Sequence, residues 1–256
     1  MTAPPRLDVL IQPFCLRFSL QEDEIVYHLG GHADVQLDRM EKLLGIDPAA
    51  QPIFDCNLGF LPVATTVLIR GERTIVVDPG NHHLAAYGML GRALARFGLR
   101  PADVDLVIAT HSHHDHLASL RPFAGKDLLL GPGEIAYANE AAGEAATDAL
   151  LGPMATVREI AAQDAQPEAV MPGVAVVATP GHTPGHLSVL VETADERIVV
   201  AGDTTMTRAE YEHGAFSHWY DDAQRAQLAA SRERLRAWRP TLVLPGHDRA
   251  FRPEEG

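Results

Sequence analysis

Thr110-His111-Ser112-His113-His114-Asp115-His116 places four histidines and one aspartate within six consecutive positions, 111 to 116. The run before it, Val104-Asp105-Leu106-Val107-Ile108-Ala109, is apolar and reads as a buried strand. Leu117-Ala118-Ser119-Leu120 follows and has the composition to begin a helix. The cluster is therefore expected on the turn at a strand's end. Imidazole nitrogens and carboxylate oxygens are the usual donors to zinc and related divalent ions. In extended backbone, residues i and i+2 point the same way. That puts His111 and His113 together on one metal. Asp115 and His116 lie past the bend and face a second metal beside the first. His114 points away from the pair and is not expected to bind.

Working outward, three more apolar runs end in a residue able to bind metal. Val174 to Ala178 leads into Thr179-Pro180-Gly181-His182-Thr183-Pro184-Gly185-His186. Ile198 to Ala201 ends at Gly202-Asp203, and Thr241 to Leu244 leads into Pro245-Gly246-His247-Asp248. Upstream, Val63 to Ile69 and Thr74 to Val77 read as a hairpin about Gly71-Glu72, ending at the turn Asp78-Pro79-Gly80. Further strands are expected at Leu128–Leu130 and Leu187–Val191. Helices are expected over Leu84, Tyr87, Leu90, Leu94 and Phe97, stopping at Gly98, over Glu134 to Ala149, and from Asp221 or Asp222 to Trp238. Residues 150 to 172 are loosely patterned, and 204 to 220 read as irregular.

The first sixty residues are the least legible. Val9-Leu10-Ile11 and Phe14 to Phe18 read as strands, and Leu37, Met40, Leu43 and Leu44 fall at helical spacing. His28, His32, His82 and His83 are expected at the surface or the site entrance. No linker divides the chain, so 1–256 is taken as one domain, with 1–60 an N-terminal extension packed on it.

Composition narrows the partners. The chain has 256 residues, of which 46% are hydrophobic, enough for a sizeable core. Its 34 acidic and 21 basic residues give a formal charge of -13, which argues against nucleic acid or an anionic membrane as partner. Cys15 and Cys56 show no metal-site spacing and no disulfide framework. The start of the chain lacks a basic segment followed by an apolar one, and no apolar run reaches membrane-spanning length. A cytoplasmic protein acting on a small molecule is expected.

The ordered set of strand-end residues resembles the metallo-β-lactamase superfamily. Its His-x-His-x-Asp-His motif stands here at 111 to 116, and its downstream ligands match His182, Asp203 and His247. Asp78 matches the superfamily's early aspartate, which orders loops beneath the metals without binding them. The resemblance covers roughly residues 60 to 250. It implies an α/β fold, an αββα sandwich of two mixed sheets flanked by helices, with the metals at the edge where strand-end loops meet. It implies His111, His113 and His182 on one metal, Asp115, His116 and His247 on the other, and Asp203 bridging. His186 is expected to hydrogen-bond its loop, and Thr110 and Thr179 to orient ligands. Zinc is the first choice of ion; iron, manganese or cobalt suit the same donors.

Five neutral histidines and two aspartates carry less charge than two divalent ions, which favours hydroxide over water between the metals. Metal binding lowers the pKa of bound water to ~7. That bridging hydroxide is expected to attack the carbonyl of a lactone or ester, with one metal polarising the oxygen and Asp115 taking the proton. Length and the Gly-His-Thr-Pro-Gly-His motif look like the N-acyl homoserine lactonase branch. Met206 stands three residues past Asp203, where that branch carries tyrosine. Tyr211, His213 and Tyr220 lie nearby in the expected substrate loop. A glyoxalase II-type thioester hydrolase is the alternative; that type carries a C-terminal helical extension, and here nine residues follow His247. From another class, a mononuclear iron redox protein would need only His111, His182 and Asp203. The first sixty residues are free to cover the site or to pair two subunits as a homodimer.

Overall fold

The structure is a computed structural model. It describes residues 3–12, 17–21, 24–28, 63–80, 89–160, 166–217 and 219–253, with the backbone alone for 17–21, 24–28 and 89. In chain order its strands are β1 (Arg6–Ile11), β2 (Arg17–Gln21), β3 (Glu24–His28), β4 (Thr66–Arg70), β5 (Thr74–Val77), β6 (Leu106–Ile108), β7 (Asp127–Leu130), β8 (Thr156–Glu159), β9 (Glu168–Met171), β10 (Val174–Ala178), β11 (Leu187–Glu192), β12 (Arg197–Gly202), β13 (Phe216–Ser217) and β14 (Leu242–Pro245). The helices are α1 (Met89–Ala95), α2 (His114–Leu117), α3 (Glu134–Ala142), α4 (Glu144–Leu151), α5 (Arg208–His213) and α6 (Asp222–Ala237).

Two mixed sheets form the body. One runs β1-β4-β5-β6-β7-β8 and the other β14-β12-β11-β10-β9; a small third sheet runs β13-β3-β2. In the first, β4 is antiparallel to β1 and β5, and β5 to β8 are parallel. In the second, β14 is parallel to β12 and the remaining pairs are antiparallel.

Side chains alternate between faces along a strand. Val67, Ile69, Ile75, Val77, Leu106, Ile108 and Leu129 therefore point one way. They meet Val174, Val176, Leu187, Val189, Ile198, Val200 and Leu244 of the second sheet. Their neighbours Leu68, Val76, Val107 and Leu128 point the other way, onto Leu90 and Leu94 of α1, Phe123, and Leu151 of α4. On the far side, Val177, Leu190, Val199 and Val243 lie under Leu235 and Trp238 at the end of α6. The layers are helix, sheet, sheet, helix, as the resemblance implies. Both faces of each sheet are covered, which is why the central strands read as unbroken apolar runs.

Several elements differ from expectation. The start of the N-terminal segment is an edge strand of the main sheet, with β1 paired from Arg6↔Arg70 to Val9↔Val67. The single helix expected over Glu134–Ala149 is two helices, broken at Gly143 with φ 88°. The loosely patterned stretch holds β8 and β9, edge strands whose exposed faces carry polar residues. The irregular stretch 204–220 holds α5 and β13. Helix α6 is capped by Asp221, which accepts from Gln224 N at 2.8 Å while Gln224 returns the bond, a capping box.

The expected helix around Leu37–Leu44, residues Leu84 and Tyr87, both cysteines, His32, His82, His83 and the strand start at Phe14 lie outside the described residues. Among the described residues no helix is long and apolar enough to cross a membrane.

Candidate metal centre

Strands β6, β10, β12 and β14 deliver their chain ends to one edge of the sandwich. The two sheets are stitched there by main-chain bonds. Leu187 N donates to Thr110 O at 2.7 Å, and Thr65 N to Gly246 O at 2.8 Å. The Thr65 hydroxyl adds a bond to Pro245 O at 2.6 Å. Buried backbone groups are thus satisfied across the seam, and the turns that carry the polar side chains are fixed.

Three groups of side chains converge there: His111, His113 and His182; His111, His116 and Asp203; Asp115, His116 and His247. Their donor atoms within each group lie within 4.8 Å of one another. In the first, His113 Nδ1 is 3.0 Å from His111 Nε2 and 2.9 Å from His182 Nε2. In the last, His247 Nε2 is 3.1 Å from Asp115 Oδ2, and His116 Nε2 is 3.7 Å from the same oxygen. Asp203 stands between. Its Oδ2 is 3.3 Å from His182 Nε2, 3.4 Å from His247 Nε2 and 3.9 Å from His111 Nε2, and its Oδ1 is 3.4 Å from His116 Nε2.

Divalent ions fit this donor set. Nitrogen and oxygen donors ~2.0–2.2 Å from one tetrahedral ion sit roughly 3.3 Å from each other, close to the separations here. His116 Nε2 and Asp203 Oδ1 are buried without a hydrogen-bond partner, which is costly for polar atoms unless a ligand satisfies them. His114 is exposed and outside all three groups.

The far nitrogen of each converging histidine is held. His116 Nδ1 meets Asp78 Oδ2 at 2.9 Å and His247 Nδ1 meets Val63 O at 3.2 Å. Both partners only accept, so Nδ1 carries a proton and Nε2 is the nitrogen turned toward the centre. The Thr110 hydroxyl donates to Asp78 Oδ2 at 2.8 Å and is left to accept from His111 Nδ1 at 3.1 Å. His113 Nε2 lies 3.0 Å from the Tyr137 hydroxyl, and His182 Nδ1 lies 2.5 Å from that of Tyr220. Such outer partners fix tautomer and ring orientation. His186 acts one step further out. Its Nε2 accepts from Asp203 N at 3.0 Å, and its Nδ1 faces the hydroxyls of Thr179 and Thr204. Thr179 thus steadies His186 and, through it, the backbone of Asp203, rather than touching a converging histidine itself.

Electrostatics divides the site. Burial pushes His111 and His182 well below the ordinary imidazole range, and His113 below it. Burial also opposes charge on His116 and His247, but Asp203 and the neighbouring carboxylates outweigh it. They hold His116 well above its ordinary value and His247 up to about 10. Despite burial, the adjacent imidazoles hold Asp115 below the carboxylate range and Asp203 well below it.

The four residues expected around the substrate scatter. Tyr220 reaches the first histidine group. Met206 is buried beside the second: its carbonyl accepts from His247 N at 2.9 Å. Tyr211 packs in the outer layer, its ring 5.4 Å from that of Phe251. His213 is exposed at the end of α5. Two residues that sequence reasoning passed over, Glu134 and Tyr137, reach the centre from α3. Neither carries a local signal, since an acid in a helix's first turn is ordinary.

Residues 58–247 match the profile described as the metallo-beta-lactamase superfamily. Metallo-beta-lactamase domain-containing protein 1 of Homo sapiens is 33% identical over 186 residues, covering 70% of this chain and 59% of that one. An N-acyl homoserine lactonase of Bacillus sp is 27% identical over 157 residues, covering 60% of each chain. The crystal structure of a quorum-quenching N-acyl homoserine lactone lactonase superimposes with a TM-score of 0.63 at 21% identity, covering 97% of this chain and 93% of that one. The chain spans about three fifths of the length of such relatives. Its profile match begins ahead of the 111–116 turn and closes on His247, so it takes in every side chain that converges at the sandwich edge. The chain belongs to the metallo-beta-lactamase superfamily.

Proposed function

We propose that this chain is a hydrolase that opens a lactone or ester with two divalent ions. His111, His113 and His182 hold one ion, Asp115, His116 and His247 hold the other, and Asp203 is shared. The observation that carries this reading is the position of Asp203, whose two oxygens lie 3.3–3.9 Å from histidines of both groups. When bound, the ions supply Lewis acidity toward a carbonyl oxygen and bring the pKa of water to ~7. Zinc is the first choice for a donor set of imidazoles and carboxylates.

The remaining work falls to the chain. His111, His113 and His182 are neutral at pH 7 and present lone pairs without losing protons. Asp203 is sealed, whereas the Asp115 side chain keeps 14% exposure. Asp115 is thus the carboxylate able to take a proton from the attacking water and return it to the leaving alcohol. Burial, with Glu210 and Asp203, pushes the Tyr220 phenol well above its ordinary range, so it stays protonated beside His182. There it pairs with His182 Nδ1 and holds that ring from the side away from the centre. The lactone preference is supported by likeness to the 27% identical N-acyl homoserine lactonase and to the lactonase structure; Met206 stands where that branch carries tyrosine.

Metal quantification with a panel of acyl-homoserine lactones, other lactones and acyl-glutathiones tests the proposal. Two ions per chain and lactone turnover are expected; Asp203→Ala and His113→Ala should each lose bound metal and turnover. Full turnover by metal-free protein would refute it. Preference for acyl-glutathiones would move the substrate class to thioesters.

A further inference from the structure

Glu134 is fully buried at the start of α3. Its Oε2 accepts from Ser112 N at 2.7 Å, and its Oε1 accepts from Gly185 N at 2.9 Å. Ser112 sits between His111 and His113. Gly185 belongs to the turn that carries His182. One carboxylate therefore ties together the two turns that supply the first histidine group. The fit is close: a methyl at Gly185 would stand 2.9 Å from Glu134 Cγ and 2.4 Å from Pro132 O.

Tyr137 lies one helical turn along α3, on the same face as Glu134. Its hydroxyl meets His113 Nε2 at 3.0 Å. The outer partners of the second group come from elsewhere. They are Asp78 for His116 and Val63 O for His247. Asp78 also reaches the first group, through the Thr110 hydroxyl at His111 Nδ1, whereas the bonds of Glu134 and Tyr137 to the centre go to the first group alone.

We infer that α3, through Glu134 and Tyr137, is a positioning element for the His111–His113–His182 half of the centre alone, so that its loss releases one ion and leaves the other. The inference rests on the two-ion reading above. Neither residue touches a donor position, and both act through the backbone or the far side of a ring. Loss of such an outer partner typically weakens a metal about 10- to 100-fold. Glutamine at 134 keeps the volume but only one acceptor oxygen, so one of the two main-chain donors goes unpaired.

The test is a chelator-competition titration of zinc on the full chain, with ions per chain counted, for wild type, Glu134→Gln and Tyr137→Phe. Visible spectra of the cobalt-loaded proteins are recorded alongside. Wild type is expected to take up two ions. In Glu134→Gln the weaker step should fall about 10- to 100-fold, with the other unchanged and the cobalt bands of one site altered. Tyr137→Phe should shift the same step in the same direction by a smaller factor, and it keeps the test alive if the glutamine variant fails to fold. Two steps that weaken together, or neither weakening, would overturn the inference while leaving the two-ion reading intact. A wild type that binds no metal would overturn both.

Discussion

Asp78 and His116 meet at 2.9 Å, Oδ2 to Nδ1, although 38 positions separate them in the chain. The same carboxylate accepts from Thr110 N at 2.7 Å and from the Thr110 hydroxyl at 2.8 Å. Asp78 closes strand β5 and His116 lies on the one-turn helix α2, so this contact fixes the 110–116 turn on the sheet. Asp78 also adopts φ 51°, a left-handed conformation that aspartate and asparagine tolerate better than most residues.

Asp78→Asn keeps the size and the backbone preference but exchanges one acceptor for a donor. If the amide faces His116, Nδ1 must accept, and the ring proton moves to Nε2, the atom turned toward the second group. Binding of the second ion should weaken about 10- to 100-fold, and the first should weaken too, because the same Oδ2 accepts from the Thr110 hydroxyl that holds His111 Nδ1. Chelator competition measures it. Equal affinity in the variant would mean that Asp78 ties the loop without setting the tautomer.

The raised pKa values of His116 and His247 set a pH dependence. In the metal-free fold both hold protons at pH 7, where an unfolded histidine, with its ordinary value of 6.5, is mostly neutral. Their folded pKa exceeds the unfolded one. The stabilisation is therefore complete below pH 6.5 and is lost as pH rises, for His247 through about 10. The melting temperature of metal-free protein should fall across that window. Uptake of the second ion at pH 7 should expel protons, read by calorimetric titration in buffers of different ionisation enthalpy. Uptake without proton release would show both rings neutral beforehand.

A methyl group at Gly246 would stand 1.9 Å from Asp203 Oδ1. Gly246→Ala should therefore push the shared carboxylate aside. The expected loss of stability is ~1–3 kcal/mol, as for overpacking generally, with a larger loss of bound metal. Metal content and a thermal melt separate the two effects. A folded variant that still held two ions would disprove the close approach.

Legibility followed burial and sequence distance. Strands β5, β7, β10, β11, β12 and β14 could be read because both their faces are covered, which writes an unbroken apolar run. Edge strands β8 and β9 could not, because Thr156–Glu159 and Glu168–Met171 carry the polar residues that an exposed edge tolerates. The converging His and Asp residues stood out because four histidines and an aspartate crowd positions 111 to 116 and three later apolar runs end in His or Asp. Asp78 was legible through the superfamily motif alone. Glu134, Tyr137 and the bond from Tyr220 to His182 were hidden, since each acts on a residue 22 to 51 positions away. Tyr211 shared a segment with Tyr220, yet α5 turns it onto Phe251.

The segment after Asp203 is clamped by a buried ion pair that composition alone does not reveal. Arg232 and Glu210, 1% and 0% exposed, approach to 3.4 Å. Arg232 also donates to Thr204 O at 2.7 Å and Ala215 O at 2.5 Å, while Glu210 accepts from Met206 N at 2.6 Å and Ser217 Oγ at 3.1 Å. The pair thereby spans residues 204 to 217 and reaches Met206, whose carbonyl holds His247 N. Removing one partner strands a buried charge, which costs ~3–5 kcal/mol. At about 2–4 °C per kcal/mol for a chain of this size, Arg232→Met should lower the melting temperature by about 6–20 °C. Glu210→Gln should cost a comparable amount, and the double variant should cost less than the two singles added together, because each single leaves the other's charge unpaired. Thermal melts of the four proteins complete the cycle. Strict additivity would mean that the two side chains anchor the segment independently, each through its own main-chain bonds.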